Sequence, residues 1–167
     1  MSPGWRLSFA SNLGHYSVSS SEGVLVKLVN RNNLSDALVL VVDDDEDIRS
    51  LISYIFEYSG CRVLTATTGD SALLLTEQYE PDLIVLDLML PDFSGFEVVK
   101  CIRTSSVVEV NLTPVIMLSA APQIQNADTW QADSTIEYLG KPFKPAVLLA
   151  RAAAIVTGID TRVRTNV

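Results

Sequence analysis

Five short apolar runs alternate with stretches of helical periodicity, and this alternation constrains the fold more than any other feature of the sequence. The apolar runs predict strands at residues 38–42, 62–66, 83–86, 114–118 and 136–139. Helices are predicted at residues 46–58, 70–79, 94–104, 123–132 and 144–156. Most of the strand segments are apolar at nearly every position, as strands buried on both faces of a sheet are. Strand-then-helix units with short connections predict an α/β fold with a doubly wound parallel sheet.

The first 36 residues differ in composition from the rest of the chain. They are rich in serine, asparagine and glycine and show no sustained helical period. We therefore interpret residues 1–36 as an N-terminal extension or linker. A short strand at residues 24–29 is the alternative for part of this segment. Residues 37–157 are then expected to form one folded domain, followed by a C-terminal tail at residues 158–167.

Composition excludes several classes of function. The single histidine, His15, lies in the polar extension, which removes multi-histidine metal sites and leaves a serine or cysteine triad without its base. A net charge of -8 argues against binding to the phosphate backbone of nucleic acids. No apolar run reaches the length of a membrane span, and no secretory signal is recognisable. Since Cys61 and Cys101 do not form a disulfide framework, we expect a cytoplasmic protein with free thiols.

Polar residues suited to metal and phosphoryl chemistry follow four of the predicted strands. Five consecutive acids at 43–47 follow the first strand, Asp87 the third, Ser119 the fourth and Lys141 the fifth. The carboxyl ends of parallel strands meet at one edge of a sheet, so these side chains should lie together. The acids repel one another, and a bound Mg²⁺ would offset that repulsion. A second interpretation of residues 45–47 stays open, because acids also cap a helix N-terminus and interact favourably with its dipole.

Asp87 is the strongest candidate for a reactive group. It follows the apolar run at residues 83–86, where a carboxylate is desolvated unless a metal or a positive charge meets it. Beside Mg²⁺ such a carboxylate is suited to attack phosphorus and form an aspartyl phosphate. Lys141 would supply a second positive charge, and the Ser119 hydroxyl a hydrogen bond to a phosphoryl oxygen.

Four segments together resemble the receiver domain of two-component response regulators. They are VVDD at residues 41–44, LDLMLP at 86–91, VIMLSA at 115–120 and YLGKPF at 138–143. The resemblance covers residues 37–156. It implies a CheY-like, flavodoxin-like fold: a five-stranded parallel sheet of order 2-1-3-4-5 with five helices.

The resemblance also implies a role for each matching residue. Asp87 would accept the phosphoryl group, and Lys141 would pair first with its carboxylate and then with the phosphoryl group. Asp44 and Asp87 would bind Mg²⁺ directly, and Mn²⁺ is an alternative ion. Asp43 would act on the metal mainly through water, and the backbone carbonyl of Met89 would complete the protein ligands.

A switch pair is implied at Ser119 and Tyr138, where the hydroxyl moves towards the phosphate and the aromatic ring turns inward. Pro142 resembles the family's cis-proline, which would aim Lys141 inward. The chain departs from the family pattern at residues 123–135, which lack the usual Gly-Ala-Asp-Asp sequence before the fifth strand. The fourth helix is therefore expected to be short, shifted or mobile, which leaves partner identity open.

The resemblance implies a phosphoacceptor protein that assists its own phosphorylation and dephosphorylation, rather than an enzyme. The donor would be a histidine kinase or a histidine phosphotransfer protein. Since no further module follows the fifth helix, output would run by protein contact to an unidentified partner, with no nucleic acid and no membrane bound by this chain. A fragment of a longer regulator is the alternative. The apolar fifth helix leaves open a homodimer through the face of the fourth helix, fifth strand and fifth helix.

Two other functions are alternatives for the same residues. The first is an unphosphorylated, receiver-like interaction module, although every acceptor residue is present. The second is a Mg²⁺-dependent phosphohydrolase with Asp87 as nucleophile. That reaction needs a second acid, typically two residues after the nucleophile, and Met89 occupies this position.

Overall fold

The computed structural model describes residues 34–120 and 133–163, with side chains as far as residue 157, and the backbone of residues 16–18 and 25–27. Two short strands, β1 and β2, form an antiparallel hairpin at Tyr16–Val18 and Leu25–Lys27. A parallel sheet is built from β3 (Leu38–Val42), β4 (Arg62–Ala66), β5 (Leu83–Asp87), β6 (Val115–Ser119) and β7 (Ile136–Gly140). Its order is β4-β3-β5-β6-β7. The predicted fold and strand order are therefore confirmed.

Five helices lie in the described part of the chain. They are α1 (Glu46–Tyr58), α2 (Gly69–Tyr79), α3 (Gly95–Arg103), α4 (Val108–Asn111) and α5 (Pro145–Val163). The helix predicted at residues 123–132 lies outside the described residues, and α4 is a short helix that the sequence pattern did not predict. α5 continues through Gly158, where the sequence predicts a stop. A glycine costs a helix only about 1 kcal/mol relative to alanine and does not by itself end it.

The helices cover both faces of the sheet. α1 and α5 pack on one face with side chains such as Phe56 and Leu148, and α2, α3 and α4 pack on the other with side chains such as Val99 and Ile102. Every residue of β3, β5 and β6 is buried. Their continuous apolar sequences are explained by this arrangement, because a central parallel strand has no solvent face.

Local hydrogen bonds define where the helices begin. The Asp45 carboxylate accepts hydrogen bonds from the backbone N–H groups of Asp47 and Ile48, so it caps α1. At the start of α3, Ser94 and Glu97 form a reciprocal capping box. Both patterns satisfy backbone donors that the first turn of a helix leaves unpaired. The capping interpretation of the acids at residues 45–47 is thus correct for Asp45.

The chain enters the sheet through a tightly held turn beside the end of α1. The backbone N–H of Asp36 donates to the Gly60 carbonyl at 2.9 Å, and the Cys61 thiol donates to the Leu34 carbonyl at 3.2 Å. Leu34 is buried in the core, before the predicted domain start at residue 37. Gly60 adopts φ 86, a conformation that favours glycine.

A side-chain network explains the unusual sequence before β7. Arg103 Nε donates to Asp133 Oδ2 at 2.7 Å, and its Nη2 donates to Thr135 Oγ1 at 2.7 Å. Its Nη1 donates to the Asn111 carbonyl at 2.9 Å. Although Asp133 is partly desolvated, which opposes the change, bonds from Thr135 and Arg103 lower the pKa of its carboxyl. Arg103 therefore ties the end of α3 to α4 and to the start of β7.

No helix in the described ranges combines the length and the apolar character needed to cross a bilayer.

Candidate functional site

The strand ends converge as the topology predicts. Leu86 on β5 lies beside Val42 on β3, and Asp87 lies beside Leu118 on β6. The backbone N–H of Lys141 donates to the Ser119 carbonyl at 2.7 Å. The polar residues at the carboxyl ends of four separate strands therefore share one edge of the sheet, with Asp87 and Ser119 as the last residues of β5 and β6.

Three carboxylates form an acidic cluster at this edge. Asp43, Asp44 and Asp87 each offer an oxygen within 4.8 Å of the others. Asp43 is fully buried, Asp87 is 8% exposed and Asp44 is exposed. Carboxylate oxygens are the ligands that hard divalent cations prefer, and a cation offsets the repulsion among three neighbouring anions. The donor set therefore fits Mg²⁺ or Mn²⁺.

Lys141 is the cation of the site. Its Nζ lies 2.7 Å from Asp43 Oδ2 and 3.1 Å from Asp87 Oδ2. The peptide bond between Lys141 and Pro142 is cis, as the resemblance implied. Burial alone would lower the pKa of Lys141, but its hydrogen bonds to Asp43 and Asp87 and their negative charges raise it above its ordinary value. The ammonium group therefore stays protonated at neutral pH.

Asp43 is held by several groups. Burial raises the pKa of its carboxyl, against the opposing hydrogen bonds from Lys141 and from the backbone N–H of Asp45, which donates to Oδ1 at 3.0 Å. Arg49 on α1 adds a further restraint, since its Nη1 donates to the Asp43 carbonyl at 2.9 Å and to the Asp44 carbonyl at 3.4 Å. These contacts fix both the backbone and the side chain of the acidic loop.

Sequence reasoning missed Arg49. A signal was present, because a cation in the first turns of a helix opposes the helix dipole and needs another partner to be favourable. Here the partners are the two carbonyls of the acidic loop.

The loop after Asp87 is packed too closely for a side chain at Gly95. A Cβ on Gly95 would lie 2.7 Å from the Asp87 carbonyl oxygen and 3.1 Å from Leu88 Cα. Met89, two residues after Asp87, forms an isolated antiparallel β-bridge with Ser94. Met89 is 75% exposed. The loop is therefore short and closed, with the Met89 side chain at the surface.

Asp92 anchors the same loop to α2. Its Oδ2 accepts from the backbone N–H of Asp70 at 2.9 Å, and its Oδ1 accepts from that of Gly69 at 2.8 Å. These two bonds hold the pKa of the Asp92 carboxyl below its usual range. Sequence reasoning did not identify Asp92, because its partners lie more than twenty residues away in the chain.

The predicted switch pair lies on neighbouring strands. Tyr138 on β7 is paired with Met117 on β6, two positions before Ser119. Since side chains alternate along a strand, Ser119 and Tyr138 share one face of the sheet. The Tyr138 hydroxyl is buried and has no hydrogen-bond partner among the described residues. Burial and then the charge of Asp133 raise the pKa of that hydroxyl.

Comparison with known proteins identifies close relatives of this arrangement. The sequence profile of the response regulator receiver domain matches residues 39–153. The alkaline phosphatase synthesis transcriptional regulatory protein PhoP of Bacillus subtilis is 40% identical over 118 residues, which are 71% of this chain and 48% of PhoP. The DNA-binding dual master transcriptional regulator RpaA of Synechocystis is 38% identical over 122 residues, which are 73% of this chain and 50% of RpaA.

Solved structures agree with the sequence relatives. The chemotaxis response regulator CheY4 of Vibrio cholerae aligns with a TM-score of 0.66 and 32% identity, covering 72% of this chain and 99% of CheY4. A Francisella response regulator receiver domain aligns with a TM-score of 0.65 and 32% identity, covering 74% of this chain and 99% of that domain. The chain spans about half the length of the two curated relatives named above.

Proposed function

This chain belongs to the response regulator receiver family of two-component systems, and we propose that phosphorylation of Asp87 switches it between two signalling states. Receiver domains act as phosphorylation-controlled signalling modules and not as classical enzymes. The observation that carries the proposal is the placement of the Asp87 carboxylate within one cluster of two further carboxylates and the Lys141 ammonium group.

The proposed reaction transfers a phosphoryl group from a phosphohistidine donor. A carboxylate oxygen of Asp87 forms a bond to phosphorus while the bond between phosphorus and the donor imidazole nitrogen breaks. The imidazole nitrogen keeps the electron pair of the broken bond, and Asp87 becomes an acyl phosphate. The step needs no oxidant and no general base, because Asp87 attacks as the carboxylate.

Mg²⁺ is proposed to bind at the acidic cluster, with Mn²⁺ as a substitute. Asp43, Asp44, Asp87 and the backbone carbonyl of Met89 would hold the ion, with Asp43 acting mainly through water. The bound ion would neutralise negative charge on the phosphoryl oxygens. The support for this assignment is the mutual approach of the three carboxylates.

Three other residues are proposed to handle the phosphoryl group once it is attached. Lys141 would release its contact with the Asp87 carboxylate and bind a phosphoryl oxygen, since its pKa keeps it cationic. The Ser119 hydroxyl would donate to another phosphoryl oxygen. Tyr138 would then occupy the space that Ser119 leaves, supported by their shared face of the sheet. A new local charge would thus bias a two-state packing element.

A histidine kinase or a histidine phosphotransfer protein is proposed as the donor of the phosphoryl group.

The chain is proposed to pass its signal on by protein contact, including a homodimer through the face of β7, α5 and the predicted fourth helix. Its support is the exposed surface of α5, where the apolar residues Val147, Ala150 and Ala154 lie with one charged residue, Arg151. Two relatives are named as transcriptional regulators, and DNA binding here would be the property of a domain outside the matched residues 39–153. Sedimentation that stays strictly monomeric with and without a phosphate mimic would contradict the homodimer.

The decisive experiment is intact-mass spectrometry after incubation with acetyl phosphate, with Mg²⁺ or with a chelator. We expect a single phosphoryl adduct that requires Mg²⁺ and is lost in Asp87→Asn. Asp70→Asn is the matched control, because Asp70 is an exposed acid at the start of α2, outside the acidic cluster. A folded protein without any adduct would favour an unphosphorylated interaction module. Sustained release of phosphate over many turnovers would favour a phosphohydrolase.

A further inference from the structure

The outer surface of α1 carries a row of large apolar side chains that the described structure leaves uncovered. Leu51 is 51% exposed, Tyr54 is 64% exposed and Tyr58 is 83% exposed. Residues at this spacing lie within one stripe of a helix. We call these three residues the aromatic strip. A contiguous apolar surface on a helix otherwise covered by its own sheet typically marks a contact site.

The two tyrosines of the strip are already arranged together. Their ring centroids lie 6.0 Å apart with an interplanar angle of 29°. Such a stacked pair loses little side-chain freedom when another surface covers it. The strip spans about 10 Å along the helix axis.

The chain itself brings a segment of matching size to this place. The turn at Leu34 and Asp36 is fixed beside Gly60, two residues after Tyr58. Only residues 28–33 separate β2 from that turn, and fully extended they span about 20 Å, which is more than the length of the strip. Strands of three residues are about 10 Å long, so the hairpin of β1 and β2 matches the strip in length.

The register of the hairpin places three apolar residues and one lysine on the same face. Its antiparallel register pairs Val18 with Leu25 and Tyr16 with Lys27. By the period of two, these four residues share one face, whereas Ser17 and Val26 belong to the other. An isolated two-stranded hairpin is marginally stable in water and needs a surface to pack against. The hairpin therefore needs an apolar surface to pack against, and the aromatic strip is an exposed apolar surface of similar length.

Charge also favours this pairing. Residues 1–33 contain three cationic side chains and one anionic side chain, Glu22. α1 contains three acids and one cation, Arg49. Glu57 is exposed and lies one helical turn after Tyr54, so an acid stands beside the strip. Opposite net charges bring the two segments together and oppose docking of α1 on another acidic surface.

We propose that the N-terminal hairpin of β1 and β2 docks on the aromatic strip of α1 in the same chain, with the face of Tyr16, Val18 and Leu25 against Leu51, Tyr54 and Tyr58. The contact covers the outside of the helix that begins at the acidic loop. It does not depend on phosphoryl transfer at Asp87.

The test is limited proteolysis of the full chain with trypsin, which cuts after Lys27 and Arg31. Cleavage follows the population of the undocked hairpin when undocking is fast. The double variant Tyr54→Ser with Tyr58→Ser should be cut at these sites on the order of tenfold faster, because burial of even one aromatic side chain is worth a factor of this size. Val18→Ser, which removes an apolar side chain from the hairpin, should also increase the rate of cleavage at these sites. Rates are normalised to the same chains unfolded in urea.

Two matched controls separate docking from general effects. Leu74→Ser removes an exposed apolar side chain from α2, and Ser17→Ala alters the opposite face of the hairpin, so neither should change the cleavage rate. Equal cleavage of wild type and the double tyrosine variant would overturn the proposal. Protection that grows with protein concentration would also overturn it, since the strip would then be covered by a second copy.

Discussion

The Lys141 ammonium group lies between two carboxylates, 2.7 Å from Asp43 Oδ2 and 3.1 Å from Asp87 Oδ2. One side chain therefore balances part of the charge of the acidic cluster. A divalent cation bound at the same cluster would also balance part of this negative charge. The stability of the protein should consequently depend on Lys141 and on Mg²⁺ together.

Replacement of Lys141 by methionine should lower the free energy of unfolding by about 1–3 kcal/mol in the presence of a chelator, because two neighbouring carboxylates lose their partner. Mg²⁺ should restore more stability to this variant than to wild type. Thermal unfolding with and without Mg²⁺ measures both effects. Lys144→Met is the control, since Lys144 is exposed and no ion pair is found for it within the described ranges. An equal Mg²⁺ shift in Lys141→Met and wild type would contradict the shared role.

The bond network of Arg103 and Asp133 should give a pH-dependent contribution to stability. The folded pKa of Asp133 is lowered, so its contribution is fully present above the unfolded value of about 3.9 and is lost as the pH falls through the folded pKa. Asp133→Asn should therefore cost about 1–3 kcal/mol at pH 7 and little in strong acid. Urea unfolding of wild type and Asp133→Asn, from pH 7 into strong acid, measures the difference in the free energy of unfolding.

Glu137→Gln is the control for that experiment. Glu137 pairs with Arg151 at 3.1 Å, but the Arg151 side chain is 55% exposed. Exposed pairs contribute about 0.2–1 kcal/mol. A cost for Asp133→Asn that is no larger than this, or that does not diminish in acid, would show that the network does not hold β7 in place.

Gly95 and Gly140 provide a comparison of two glycines near the site. A Cβ on Gly95 would meet the Asp87 carbonyl oxygen at 2.7 Å, whereas a Cβ on Gly140 would meet nothing within 4 Å. Gly95→Ala should cost about 1–3 kcal/mol, because the backbone that carries Asp87 must shift. It should also slow adduct formation with acetyl phosphate. Gly140→Ala should change stability by less than about 0.5 kcal/mol, and a comparable loss in both variants would refute the steric argument.

Much of the fold and of the site was predictable because both follow from periodicity and topology. Continuous apolar runs identify buried parallel strands, and a parallel sheet brings the residues after its strands to one edge. Asp43, Asp87, Ser119 and Lys141 were therefore predicted to lie together from their residue types and their positions at the strand ends, whereas their individual roles came from the family resemblance.

Other features depend on contacts between distant segments, which no local pattern encodes. Arg103 binds Asp133 across thirty residues, and Asp92 caps a helix that begins before it in the chain. The continuation of α5 through Gly158 also escapes local reasoning, because a single glycine lowers helix propensity without determining where a helix ends. Contacts between segments distant in the sequence determine these features.

Arg49 is the contact of this kind that bears most directly on metal binding. Its guanidinium holds the carbonyls of Asp43 and Asp44, and thereby the direction of two proposed metal ligands. Arg49→Ala should weaken Mg²⁺ binding about tenfold, as loss of a group that orients a metal ligand typically does. Arg49→Lys should restore part of the affinity, since an ammonium group can still donate to one carbonyl. Calorimetric titration with Mg²⁺ measures the affinity, and Arg62→Ala on the edge strand β4 controls for the loss of a positive charge. Unchanged affinity in Arg49→Ala would mean that the other contacts of the acidic loop, those of Lys141 and Asp45, hold it in position without Arg49.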